Sequence, residues 1–238
     1  MINQTPGLKL LLVCCFLAIN STQSIAQITP DNTLGAESSR VVPNGGIDKI
    51  DGGALRDRNL FHSFKEFNIN DGQKVYFSNP SGIENILTRV TGRNVSNILG
   101  TLGVDGAANL FLINPNGIVF GENARLDVNG SFVGSTANGL QFGEQGNFSA
   151  TNPESVPLLT VNPSALLFNN QFNDRGNITN LAQQNGLNGE TNVTDGPVGL
   201  QVPDGKTLAL VGGNILLDDG NLTAFGGRIE IGSVTGTG

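Results

Sequence analysis

The sequence predicts an all-β chain wound as a right-handed parallel β-helix, and three observations lead there. Short apolar runs recur at residues 74–77, 86–90, 110–113, 117–120, 208–211, 214–217 and 228–231, rich in Val, Ile, Leu and Phe and bounded by turn residues. The boundaries are mostly Asn-Gly or Asp-Gly pairs, such as Asn44-Gly45, Asp71-Gly72, Asp105-Gly106, Asn116-Gly117, Asn138-Gly139 and Asp219-Gly220. These pairs tolerate the positive φ of tight turns. The runs also return at about 20 residues, from 87–90 to 110–113 to 126–132, and again from 208–211 to 229–231, the period of a coil with glycine corners. A sandwich of hairpins is the competing arrangement. It would set Asn-Gly between alternating strands of five or more residues, whereas the runs here are short and apolar at consecutive positions.

In chain order, the first 26 residues form an export signal. Lys9 precedes an apolar run at 10–19, and Ser24-Ile25-Ala26 supplies small residues for cleavage between Ala26 and Gln27. The run is too short to span a bilayer. Its removal takes away both cysteines, Cys14 and Cys15, so the mature chain, residues 27–238, has no thiol for disulfides, zinc or catalysis. Charged residues are 14% and the net charge is −7, with no Lys/Arg cluster. Nucleic-acid binding, which needs a basic patch, is therefore not expected. In the mature chain, apolar residues do not recur at helical spacing.

One corner recurs in a specific form: Asn79-Pro80-Ser81-Gly82-Ile83, Asn114-Pro115-Asn116-Gly117-Ile118 and Asn162-Pro163-Ser164-Ala165-Leu166. Each predicts a type I turn with Asn at the first position and Pro presetting φ at the second, followed by an aliphatic residue returning to the core. Asp or Ser in place of Asn116 is expected to keep the turn, since both are good turn formers.

Residues 109–121 (NLFLINPNGIVFG), followed by Ala124-Arg125-Leu126-Asp127-Val128 and Gly130-Ser131-Phe132-Val133-Gly134-Ser135-Thr136-Ala137, closely resemble the filamentous haemagglutinin N-terminal domain, the secretion domain of two-partner-secretion exoproteins. Leu60-Phe61-His62-Ser63-Phe64, Val75-Tyr76-Phe77 and Gly212-Gly213-Asn214-Ile215 fit the same family, and the resemblance covers about residues 30–238. It implies the right-handed β-helix, export to the cell surface or medium by way of the periplasm, and an outer-membrane transporter of the two-partner type as partner. Asn114, Pro115, Asn116, Gly117 and Ile118, with Asn79 and Pro80, are the residues it implies for transporter recognition. The family's upstream Asn-Pro-Asn-Leu block has Asn79-Pro80-Ser81-Gly82 as its nearest match, with two of the four positions changed. Family members continue into further coils, so a truncated chain is expected at Gly238, with a glycan or protein ligand at the host or cell surface bound by the missing downstream region.

The alternative is a carbohydrate-binding or polysaccharide-degrading secreted β-helix, which would need clustered carboxylates with Arg or Lys in one groove. Asp48, Lys49, Asp51, Arg56, Asp57 and Arg58 are read instead as a solvated face. His62, the single histidine, lies among Phe61, Phe64 and Phe67 and is read as packed. No catalytic residue, metal ligand or cofactor is assigned.

Overall fold

The computed structural model describes Met1 and residues 28–169 and 176–234. The predicted export signal with its cleavage point, and the chain end at Gly238, lie outside the described residues. Within them, the regular elements are strands apart from one 3-10 turn at Gly35–Glu37.

Three larger parallel sheets share the chain in rotation, and a two-stranded parallel pair, Leu200–Gln201 and Leu222–Thr223, follows the second sheet in the last coils. The first contains Asn59–Phe67, Asn85–Val90, Asn109–Ile113, Phe132–Ser135, Thr207–Gly212 and Arg228–Ser233, each parallel to the next. The second runs Ser96–Ile98, Ile118–Phe120, Ile178–Asn180, Ile215–Leu217. The third runs Ile47–Gly52, Lys74–Ser78, Thr101–Asp105, Arg125–Asp127. Strands visit the sheets in that order: Asn85–Val90, then Ser96–Ile98, then Thr101–Asp105, before Asn109–Ile113 opens the next coil. This is a parallel β-helix, and all seven predicted runs fall on its strands. Right-handed winding is the hand taken by about 98% of parallel strand–crossover–strand connections.

The expected period of about 20 residues is corrected in detail. Equivalent corners of successive coils stand 26, 24 and 22 residues apart, and the next step is 76 residues. The run at 126–132 is not one repeat but two strands of different sheets, Arg125–Asp127 and Phe132–Ser135, either side of a corner.

The long step is an excursion. After Ser135 the chain leaves the helix and forms an antiparallel sheet, with Gly139–Gln141 between Asn147–Ser149 and Ala165–Leu167, and rejoins at Ile178–Asn180. The composition of the first sheet explains why it docks. Inward positions stack in register, Leu60, Ile86, Leu110, Phe132 and Leu208 forming one row, all buried in the main core. The outward positions Phe61, Leu87 and Ile113 are apolar too, and they form a second core with Leu140, Phe142, Phe148, Val156 and Leu159 of the excursion. Phe61 meets Phe148 edge-on at 4.9 Å and Phe142 at 5.5 Å. A sheet apolar on both faces must be covered on both.

The N-terminal end is closed by antiparallel strands: Ile28–Pro30 and Ala54–Arg56 along Asn59–Phe67, and Ser39–Asn44 along Ile47–Gly52. Pro30 and Pro43 lie in two of these edge strands, where a missing N–H hinders pairing with another chain. At the other end, Ile229 and Ile231 continue the inward rows of Leu208 and Leu210 but remain 44% and 51% exposed. The expected solvated face is largely ion-paired, Lys49 with Asp105, Arg56 with Glu37 and Arg58 with Glu84.

His62 is packed, as its aromatic neighbours indicate. It is fully buried on an inward position, 5.1 Å from the Phe77 ring, with Nδ1 hydrogen-bonded to Ser39 Oγ at 3.0 Å. Gly53 (φ +89°) lies against the imidazole, and a Cβ there would sit 2.9 Å from its Cε1. Nε2 of His62 and Oγ1 of its register partner Thr88 have no hydrogen-bond partner among the described residues. Burial pushes the imidazole down to about 3, against a smaller upward pull from Asp51.

Two predictions follow from this packing. Leu112→Ala should destabilise the domain by about 2–5 kcal/mol in denaturant melts, because Leu112 is buried between coils; a loss under about 0.5 kcal/mol would contradict the inward register. For His62, the unfolded chain takes up a proton near pH 6.5 that the folded chain refuses. Stability is therefore full above that pH and declines toward pH 3, by up to about 1.4 kcal/mol per unit. Comparing wild type with His62→Leu between these limits isolates the effect, since the carboxylates titrate in both proteins. Parallel pH profiles would refute it.

Candidate functional site

The Asn114 corner lies between Asn109–Ile113 and Ile118–Phe120 and forms as its residue types dictate. Gly117 N–H donates to Asn114 C=O at 3.1 Å, with Pro115 and Asn116 in the two central positions. Asn116 keeps φ below zero, as a type I turn requires. The side chain of Asn114 closes the turn, its Oδ1 accepting from Asn116 N–H at 3.0 Å. Asn114 is completely buried, and its Nδ2 donates to Asn94 C=O and Ser96 Oγ on the preceding coil, at 3.0 and 2.9 Å. Asn116 Nδ2 reaches the same neighbouring corner, donating to Gly92 C=O at 2.9 Å and also to Asn114 Oδ1. Gly117 takes φ +127° with Asn177 C=O 3.0 Å from where a Cβ would stand.

Both asparagine amides are thus spent on tying one coil to the one before it. Asp at 116 would turn a carboxylate toward two oxygens that now receive N–H donors, so the turn-former swap is not neutral here. Of the motif, Asn114, Gly117 and Ile118 are buried, while Pro115 and Asn116 are half-buried.

The other two copies differ from the expected type I corner. In Asn79-Pro80-Ser81-Gly82 the hydrogen-bonded turn starts one residue later, Ile83 N–H donating to Pro80 C=O at 3.2 Å. Gly82 then occupies the third position with φ +86°, the requirement of a type II turn. With its amide oriented so that the oxygen faces the next coil, Asn79 can accept from Ala107 and Ala108 N–H at 3.1 and 3.2 Å. Asn79 is half-buried and Pro80 exposed. The third copy is not a helix corner at all. It leads into the excursion strand Ala165–Leu167, and Asn162 Oδ1 accepts from Asn85 Nδ2 at 3.0 Å. The structure therefore sets Asn79 and Asn114 on separate corners of the coils, with Asn162 outside them.

Two constellations escaped sequence reasoning. Asn59, Asn85 and Asn109 stack in register as a ladder, Asn85 Nδ2 donating to Asn59 Oδ1 and Asn109 Nδ2 to Asn85 Oδ1. Its free end grips the excursion, Asn59 Nδ2 donating to Leu159 and Val161 C=O at 2.9 and 2.8 Å. The signal was present: each asparagine stands immediately before an apolar strand. Arg89, fully buried on the outer face of the first sheet, holds the opposite end. Its guanidinium donates to Ser63 Oγ, Thr33 Oγ1 and the C=O of Ser149 and Glu154, and its Cζ lies 4.3 Å over the Phe148 ring. Desolvation lowers it to about 10, against the pull of Asp31. The Asp31 carboxyl accepts from Thr33, Ser63 and Thr91. These bonds hold it below the usual carboxylate range although burial acts the other way. Among the described residues, no group of three His, Cys, Asp or Glu side chains is placed to hold a metal ion.

A capped parallel β-helix whose asparagine corners fasten coil to coil defines a coil-built protein module. The sequence profile of the TPS secretion domain matches residues 26–238. The chain belongs to that family, the secretion domains of two-partner-secretion exoproteins. It is 30% identical over 137 residues to the heme/hemopexin-binding protein of Haemophilus influenzae, a match covering 55% of this chain and 14% of that protein's length. The crystal structure of a filamentous hemagglutinin secretion domain is 16% identical, with a TM-score of 0.48, over 78% of this chain and 63% of the other.

Asn114→Ala should cost about 1–3 kcal/mol, the usual penalty of leaving buried polar partners unmet. Pro80→Ala, on an exposed turn, should cost only about 0.4–1 kcal/mol through unfolded-chain entropy. Thermal or denaturant melts of the two variants check the order, and equal losses would contradict the buried clamp.

Proposed function

We propose that the Asn114–Ile118 block and the Asn79-Pro80 turn serve export by closing coils as the chain passes the transporter. The observation that carries this is the placement of Asn114. A fully buried amide bonded to the previous coil can act on secretion through folding, and offers a folded-state partner no surface. Pro80, Pro115 and Asn116 are the motif positions a partner can touch. In this proposal residues 1–26 direct the chain to the periplasm and are removed, and residues 27–238 form one secretion domain with the excursion as part of it. The domain works without catalysis and takes no cofactor or nucleic acid. Adhesion to a host or cell-surface glycan or protein belongs to sequence beyond this domain, since the chain spans 14% of the heme/hemopexin-binding relative.

The test pairs secreted yield through the cognate transporter with the melting of refolded protein, for Asn114→Ala and for Leu210→Ala. Leu210 is an equally buried core position two coils away. Secretion of Asn114→Ala should fall well beyond that of a Leu210 variant matched for stability loss. If the two fall together, Asn114 acts through stability alone and the site assignment fails.

A further inference from the structure

The outer face of the third sheet carries Tyr76, the single tyrosine of a chain without tryptophan. Its register partner on the next coil is Gly103, and beyond Gly103 stands Asp127. The ring lies across Gly103, where a Cβ would stand 2.5 Å from both Cδ1 and Cε1. Its hydroxyl donates to Asp127 Oδ2 at 2.6 Å. Burial, together with the bond to Asp127, raises the pKa of the phenol, so the hydroxyl stays a donor. Tyr76 is half-buried rather than covered. Among the described residues, no second ring stacks on it and no cationic group lies over it. With the coil at Gly103 beneath it, the exposed part of the ring faces away from the sheet.

The surround of the ring holds both signs of charge. Lys49 stands beside Tyr76 in register and bonds Asp105 at 2.8 Å. Lys74, two residues before Tyr76 and so on the same face, is exposed. Two ammonium groups and two carboxylates, Asp105 and Asp127, therefore border one ring and balance to zero, in a chain whose net charge is −7. That balance decides the occupant. A cation drawn to the ring would meet the ammonium groups, and an anion would meet the carboxylates. An apolar side chain would strip water from four charges and return no hydrogen bond. What suits the site is a neutral body with a flat apolar face and a rim of groups that both donate and accept. A pyranose has that shape, its C–H face for the ring and its hydroxyls for the charges.

We infer that Tyr76 is a stacking platform for a neutral hexose unit of a polysaccharide met outside the cell, with Asp105 and Lys74 bonding its hydroxyls. Hydrogen bonds to charged groups are the stronger kind, and the side chain of Asp105 is 60% exposed, within a ligand's reach. The absent side chain at Gly103 and the tether at Asp127 hold the ring down across the coil before any ligand arrives, which lowers the cost of ordering it on binding. The platform is complete only once the coil bearing Asp127 has closed, so it belongs to the folded, exported domain. It is a contact of the domain itself, separate from adhesion by sequence beyond it, and it does not rest on the proposed role of the asparagine corners in export.

The experiment is a titration of the secreted domain followed by tyrosine emission, which in this chain reports Tyr76 alone. The probes are the methyl glycosides of glucose, galactose and mannose, with glucuronate and tetramethylammonium as charged counterparts. At least one neutral glycoside should change the emission saturably, and more strongly than either charged probe. In nitrogen-15 NMR the same sugar should shift the Gly103 amide beneath the ring. Asp105→Asn should weaken binding about tenfold, the equivalent of one charge-assisted hydrogen bond. Tyr76→Ala, followed by NMR, should abolish it. Thermal melts of both variants control for folding, and if Tyr76→Ala melts early, Asp105→Asn decides alone. Silence toward all the neutral glycosides, a stronger response to glucuronate or tetramethylammonium, or unchanged affinity in Asp105→Asn overturns the inference and leaves the export role untouched.

Discussion

In-register parallel pairing is the constraint on which everything else depends. Each coil has backbone partners only in the coils above and below, so an N–H or C=O that slips one residue is left unpaired in the interior. A slip would also turn every inward side chain outward. Leu60, Ile86, Leu110, Phe132 and Leu208 occupy one inward row only because the register holds through five strands. The asparagine ladder and the Asn114 clamp make that register chemically specific. An amide donates and accepts at once, so Asn59, Asn85 and Asn109 chain together only when each stands directly over the last.

The β-helix was legible because its signals are local. Strand runs, glycine corners and the Asn114 turn depend on neighbours within a few residues, and these were read correctly. The excursion was not legible, because what commits residues 136–169 to leave the helix is the apolar outer face of the first sheet. Phe61, Leu87 and Ile113 contribute to that face from three different coils. Sequence cannot separate an outward Phe61 from an inward Leu60 without knowing that both faces are covered. The three Asn-Pro corners show the same limit. Identical turn chemistry gives a type I corner at Asn114, a turn begun one residue late at Pro80 and a strand lead-in at Asn162, because Gly82 and the excursion override the shared dipeptide.

Arg89 shows how a costly group becomes useful. A buried guanidinium is unfavourable unless its donors are met, and here they are met by groups from the N-terminal segment, the first sheet and the excursion. Losing any one of those three parts leaves the charge short of a partner. Conformational specificity is thereby concentrated at one end of the docked sheet, with the asparagine ladder at the other and aromatic packing between.

The attachment of the excursion carries an implication for timing. Its anchoring contacts reach backward along the chain: Leu159 and Val161 meet Asn59, Pro157 and Val156 meet Arg56, and Ser149 and Glu154 meet Arg89. In a polypeptide delivered N-terminus first, every one of these receptors is already in place when the excursion arrives. The segment with the longest sequence separations, and so the costliest loops to close in free solution, becomes a simple latch onto a finished platform. Assembly in order of arrival thus spares this fold the search that its contact pattern would otherwise demand.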